Sequence, residues 1–172
     1  MAQDIESNEA AVSIVPGPGK ALVITAIVIL LVAGYIAIAM AFGIAAFYAG
    51  FLLLWYWASV DKLNFQAGPR IALGAFLGVG TAWVLQYATL GNQTALAIAV
   101  LLFIALSLYL LTLEILPQII NPAYTLFLTV ACAPMLQTHE RFPDVIYAML
   151  LGCVYFGVIV WGVSKLPAAS SN

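Results

Sequence analysis

The length of the apolar runs constrains this chain more than any other feature. From residue 21 to residue 41 no charged side chain interrupts the sequence, and comparable stretches occur at 71–88, 94–113 and 145–163. A helix of a soluble domain needs one apolar stripe and one polar face, whereas about 20 residues apolar on every side match the hydrocarbon thickness of a bilayer. The whole chain follows suit, with 65% hydrophobic residues, 7% charged residues and a mean hydropathy of +1.12. A soluble fold is excluded. Five Lys plus Arg against seven Asp plus Glu leave a net charge of -2, so no basic face exists to hold nucleic acid. At about 20 residues per span, 172 residues hold roughly five or six spans and almost nothing else.

The expected architecture is all-α: a polytopic membrane protein of six transmembrane helices with a short, Pro-led fifth helix. Residues 1–19 are acidic and end in Pro16-Gly17-Pro18-Gly19, which predicts a polar tail; residues 20–166 form a single transmembrane domain, and 167–172 a second tail. No Lys precedes Lys20, so the first apolar run does not read as a signal peptide. Span one covers 21–41, and a second run follows Phe42-Gly43 and reaches Val60, stopped by Asp61-Lys62. Span three covers 71–88, span four runs from Thr94 to Ile115, and span six from Val145 to Val163.

The fifth helix starts at Asn121-Pro122, with Asn as N-cap and Pro in the first turn, and is expected to reach Leu136. At 1.5 Å per residue its roughly 15 residues cover about 22 Å, less than the bilayer core. It spans under mismatch, borrows residues 116–120 as non-helical backbone, or re-enters. Six spans with both termini cytoplasmic place Lys20, Lys62, Arg70 and Lys165 inside and Arg141 outside, as the excess of positive charge on cytoplasmic loops requires. No internal repeat is evident in the sequence, although three helices plus three would permit one.

Few groups can carry chemistry. Glu114 is the one carboxylate inside an apolar run, with Gln118 one turn on and Asn121 just beyond. A carboxyl at membrane depth can take up a proton or hold a cation where it faces a cavity, and it can equally cap a neighbouring helix. Pro117 and Pro122 flank backbone that lacks full internal hydrogen bonding, which is tolerated in a membrane only inside protein or against a wet cavity. A solute path is therefore sought here, with Tyr124, Thr125 and Thr129 on the following helix. A single Asn121-Pro122-Ala123 matches one half of the water-channel signature and an ordinary cap equally well.

Phe47, Phe51 and Trp55 form an aromatic stripe on span two that reads as packing and interfacial belt, or as one wall of an aromatic-ligand groove against span three, where Trp83, Gln86 and Tyr87 lie toward the opposite surface. Gly74 and Gly78 leave a flat groove on span three, and Ala46 with Gly50 on span two is the expected opposite face, or else the groove joins subunits. Cys132 and Cys153 read as packing residues, and one histidine, His139, in a polar loop does not make a metal site. No nucleophile elbow, phosphate loop or carboxylate pair occurs, so neither catalysis nor a cofactor is expected.

The short first hairpin, the aromatic segment around Gly50-Phe51, the Gly-rich third span and the Pro-led helix running into Ala131-Cys132 resemble a family of small bacterial inner-membrane proteins classed as a domain of unknown function. Arg70-xxx-Gly74-xxx-Gly78 also looks like a helix start in the membrane domain of fusaric-acid-resistance and aromatic-acid exporters. The resemblance implies a bacterial cytoplasmic membrane. The expected function is a small transporter or channel-like protein for a small or aromatic solute, acting as a homo-oligomer; the alternative is a non-transporting subunit of a larger membrane complex. With Cys132 and Cys153 replaced, single cysteines in the N-terminal tail and beside His139 should react with impermeant reagents from opposite sides of the membrane; reaction from one side contradicts six spans.

Overall fold

The computed structural model describes residues 17–139 and 141–165, and all regular structure among them is helical. The order is α1 (Pro18–Ala41), α2 (Tyr48–Ser59), a 3-10 turn (Phe65–Ala67), α3 (Gly68–Leu90), α4 (Thr94–Thr112), α5 (Pro122–Ala131), α6 (Pro134–His139) and α7 (Phe142–Ser164). Among the described residues, four helices are long and apolar enough to cross a membrane: α1, α3 with its leading turn, α4 and α7. Both expected tails lie almost wholly outside the described residues, although α1 already begins at Pro18, where a first-turn proline lacks an N–H that would have no partner anyway. The chain divides into two compact units between Gly34 and Tyr35. The first contains the start of α1, whose large apolar side chains from Leu22 to Leu30 are exposed, as suits a helix that faces lipid.

Two expected spans are shorter than the sequence suggested. The second helix starts at Tyr48 rather than just after Gly43, because residues 42–47 are irregular and Gly43 adopts a φ of 69° that ends the preceding helix. The fifth stops at Ala131 instead of Leu136. Pro134 cannot continue it, and the chain turns through Cys132 and Ala133 before α6. Neither α2, with 12 residues, nor α5, with 10, crosses a membrane alone.

Within the second unit, packing follows the small residues. A Cβ added at Gly78 would lie 2.5 Å from the Tyr124 carbonyl oxygen and 2.9 Å from the Leu128 nitrogen, so α3 meets α5 backbone to backbone. The Gly74 and Gly78 groove thus receives α5, not the Ala46 and Gly50 face of α2 and not a second subunit. Gly50 instead meets α7: a Cβ on Gly152 would stand 2.8 Å from Gly50 Cα, and one on Gly50 would stand 2.9 Å from the Ala148 carbonyl. That same carbonyl accepts a 2.9 Å hydrogen bond from Tyr35 Oη. Ala46 is buried just ahead of α2.

These contacts reveal an internal repeat. The two close pairs, Gly78 with Tyr124 and Gly152 with Gly50, exchange under one shift of 74 residues. The same shift carries the start of α2 at Tyr48 onto that of α5 at Pro122, and α3 (Gly68–Leu90) onto α7 (Phe142–Ser164) end to end. Buried positions agree: Ile71, Gly74, Ala75, Gly78 and Ala82 become Val145, Ala148, Met149, Gly152 and Phe156, while Ala46, Ala49, Gly50, Leu53 and Trp57 become Ile120, Ala123, Tyr124, Phe127 and Ala131. One ring even changes sides, since Trp57 packs on Gly68 where the other half has Ala131 and Phe142.

The halves point in opposite directions. Asn121 adjoins Gly74, Tyr124 adjoins Gly78 and Gln137 reaches Ala82 and Gln86, so α3 runs with α5 and α6. Gly50 crosses Gly152 and Trp57 shares a groove with Cys153 and Gly157, so α2 runs with α7. Trp83 stacks on Phe142, whereas Ile71 borders that groove with Cys153 and Gly157, so α3 and α7 are antiparallel. Exchange of residues 48–90 with 122–164 therefore maps the α3–α5 contact onto α7–α2 with helix directions reversed, the relation of an inverted repeat.

Replacing Gly78 or Gly152 by Leu should cost at least about 3 kcal/mol and sharply lower the thermal midpoint in detergent, because backbone has to move. Gly80→Leu and Gly157→Leu, where an added Cβ meets nothing within 4 Å, should leave it nearly unchanged; equal losses at all four would contradict this packing.

Candidate functional site

Among the described residues, a polar cavity lies where α3 and α5 begin and α2 and α4 end, here termed the near end. It measures about 470 Å³ and is bordered by Tyr56, Asp61, Arg70, Glu114, Pro117 and Asn121 among others, with Ile71, Leu111 and Ile120 as apolar walls. That volume falls within the roughly 300–1,000 Å³ common for small-molecule sites.

Asn121 organises one wall. As N-cap of α5 its Oδ1 accepts from the Ala123 and Tyr124 nitrogens at 3.0 and 3.2 Å, and its Nδ2 donates to the Arg70 carbonyl at 2.8 Å. Only a glycine at position 74 leaves room for this amide, since a Cβ there would fall 2.8 Å from Asn121 Cγ. One side chain thus ties the first turn of α3 to that of α5. Opposite it, the Arg70 guanidinium forms an ion pair with Asp61, the carboxylate well covered and the guanidinium half-exposed. Solvent around Arg70 keeps the energetic weight of this pair small, so its effect is to hold the turn before α3 against that helix.

Glu114 reaches the cavity by way of a strained turn. Beyond Thr112, both Glu114 (φ 53°) and Leu116 (φ 59°) adopt the left-handed conformation, which ends α4 and redirects the chain toward Pro117. The Glu114 side chain is exposed and lines the cavity. Glu114 and Asn121 therefore border the same cavity, together with Pro117.

Other expected residues lie elsewhere. Gln118 is exposed and does not border the cavity. Tyr124 is fully buried and Thr125 half-buried, and their hydroxyls have no hydrogen-bond partner among the described residues. Thr129 bonds back to the Thr125 carbonyl at 2.7 Å. Trp83 and Gln86 sit at the opposite, far end of α3, twelve residues from Gly74 in the case of Gln86, or about 18 Å along the helix. There Trp83 stacks on Phe142 and Gln86 Nε2 donates to the Gln137 carbonyl at 2.7 Å. The aromatic stripe of α2 does not form a groove with α3: Phe51 and Trp55 are exposed, while Trp57 beside them is buried and donates to the Asn64 carbonyl at 2.8 Å.

Sequence reasoning missed Tyr56, Asp61 and Arg70 as members of this site. Asp61 and Arg70 were visible as loop charges, but their convergence on Glu114 depends on the parallel pairing of α3 and α5. Compared with protein families, curated proteins and solved structures, the chain shows no significant match.

Asn121→Ala removes the cap and the tie to Arg70 and should destabilise the protein by about 1 kcal/mol or more, read as a lower thermal midpoint in detergent. Gln118→Ala should fall within about 0.5 kcal/mol of wild type; comparable losses for the two would show that Asn121 is not the tie between α3 and α5.

Proposed function

We propose that this chain is a small membrane transporter or channel-like protein that moves a small polar or aromatic solute. The observation that carries this reading is the inverted repeat whose leading helices, α2 and α5, are short and preceded by irregular backbone. Two halves of opposite direction with discontinuous helices between them are the architecture of many secondary transporters, and irregular backbone in a bilayer calls for a protein-lined or wet environment. The polar cavity beside the break before α5 supports the same reading.

In this account α5 and α6 together make one passage, and α2 with residues 42–47 another, for six in all with both termini cytoplasmic. A homo-oligomer is supported by α4, which buries only Val100 and Ser107 and turns large apolar side chains outward. That uncovered face equally supports the second reading, a non-transporting subunit of a larger complex.

The test is solute flux in proteoliposomes challenged in turn with benzoate, tetramethylammonium and glycerol. At least one should cross faster than in protein-free vesicles, and Glu114→Gln, which keeps shape and removes charge, should slow it several-fold. No flux above the protein-free control for any solute favours the subunit reading, and flux untouched by Glu114→Gln removes Glu114 from the path.

A further inference from the structure

The 74-residue register that relates the two halves also relates two apolar depressions of unequal size. At the far end Val79, Phe127, Ala131, Phe142 and Val145 border a void of about 10 Å³, room for no more than a single water. Their counterparts Cys153, Leu53, Trp57, Gly68 and Ile71 border a groove of about 230 Å³ at the near end. Equivalent walls thus enclose a packed site in one half and an open one in the other. The groove lies beside the polar cavity, and Ile71 borders both.

Two rings account for the difference. At the far end Trp83 and Phe142 stack with centroids 6.4 Å apart. At the near end both positions are glycine, Gly157 and Gly68. Trp57 makes good the ring missing at Gly68, since a Cβ there would fall 3.0 Å from its indole. The ring missing at Gly157 is not replaced: a Cβ on Gly157 would meet nothing within 4 Å. Atoms that line such a gap forfeit dispersion contacts, so the groove calls for an occupant from outside the described residues.

The surroundings indicate its chemistry. The lining is apolar, which suits hydrocarbon and not a hydrated solute. The groove faces the bilayer, because it continues along Val154, Val158 and Trp161, all exposed on α7, into a depression of about 290 Å³. From Cys153 to Trp161 it follows eight residues of α7, about 12 Å, against about 15 Å of hydrocarbon in one leaflet. Beyond its end, Lys165 Nζ stands 6.0 Å from the centroid of the Trp161 ring and has no carboxylate partner among the described residues. Lys62, in the turn that brings Phe65 to the groove, is a second exposed cation at the same end. An apolar slot of leaflet depth with ammonium groups at its headgroup end matches an acyl chain below an anionic headgroup.

We propose that the groove between the α2–α3 turn and α7 binds an acyl chain of an anionic phospholipid, with Gly157 leaving room for the chain and Lys165 holding the phosphate. This site is independent of the transport reading, since it lies on the bilayer face of α7.

The experiment combines native mass spectrometry with thermal unfolding in detergent, adding phosphatidylglycerol or phosphatidylcholine of identical chains to delipidated protein. Wild type should retain one phosphatidylglycerol per chain in preference to phosphatidylcholine and unfold at a higher temperature in its presence. Gly157→Trp, which supplies the residue the far half carries at the equivalent position, should reduce retention about tenfold or more and remove the thermal gain. Gly157→Leu should show the same loss if the tryptophan variant does not fold. Gly80→Trp, at an equally open position on α3, should behave as wild type. Lys165→Gln should cut the preference for phosphatidylglycerol about fivefold, the worth of one basic residue at an anionic surface, and leave phospholipid bound. Retention that persists in both Gly157 variants, or falls equally in Gly80→Trp, places the lipid elsewhere and overturns the proposal. So does equal retention of the two lipids by wild type, a preference unchanged by Lys165→Gln, or a lipid-free dimer that Gly157→Trp dissociates, which would make a second copy the occupant.

Discussion

Backbone-to-backbone crossing at glycine underlies everything else in this molecule. In lipid there is no hydrophobic gain from pressing one apolar helix against another, so association depends on how closely two helices approach. Gly78 on α3 admits the Tyr124 carbonyl of α5, and Gly152 on α7 admits Gly50 of α2. From these two crossings come the parallel pairing of α3 with α5 and of α2 with α7. The first brings Asn121 against Gly74 and Arg70, and so forms the wall of the near-end cavity. The second seats Tyr35, whose hydroxyl closes on Ala148 and whose ring lies 5.0 Å from that of Phe156.

Much of the local structure was legible. The long helices follow from runs too apolar for water, and Asn121-Pro122 announced a helix start that the structure bears out down to the cap bonds. What could not be read was which faces meet. A lipid-facing helix is apolar around its whole circumference, so periodicity does not separate core from surface as it does in a soluble protein. Hence Gly74 and Gly78 were visible as a groove, yet their partner was assigned to α2 instead of α5. The repeat was hidden for a related reason. Apart from a few aliphatic positions, identity between the halves is confined to Pro69 with Pro143 and Gly78 with Gly152, and aliphatic matches in apolar helices carry little information.

The site was half legible. Glu114 and Asn121 stood out because a carboxylate and a proline-flanked break are unusual at membrane depth, and both border the cavity. Trp83 and Gln86 stood out as polar and aromatic groups late in α3, but they belong to the opposite end, where they hold α3 to α6 and α7. Grouping all of these into one path overlooked the length of α3, which separates them. In the structure the two groups part: polar residues line a cavity at one end of α3, and a ring stack with amide hydrogen bonds packs the other.

The central claim is that residues 48–90 and 122–164 are two copies of one helical arrangement with opposite directions and a constant register of 74. An experimental density map of the protein in a nanodisc, with a bound antibody fragment to aid alignment, tests this most directly. The account predicts that the two segments superpose by a rotation close to two-fold about an axis perpendicular to the helices, with Gly78 against Tyr124 and Gly152 against Gly50. A map in which α2 runs antiparallel to α7, or in which the segments superpose only at another register, would contradict it.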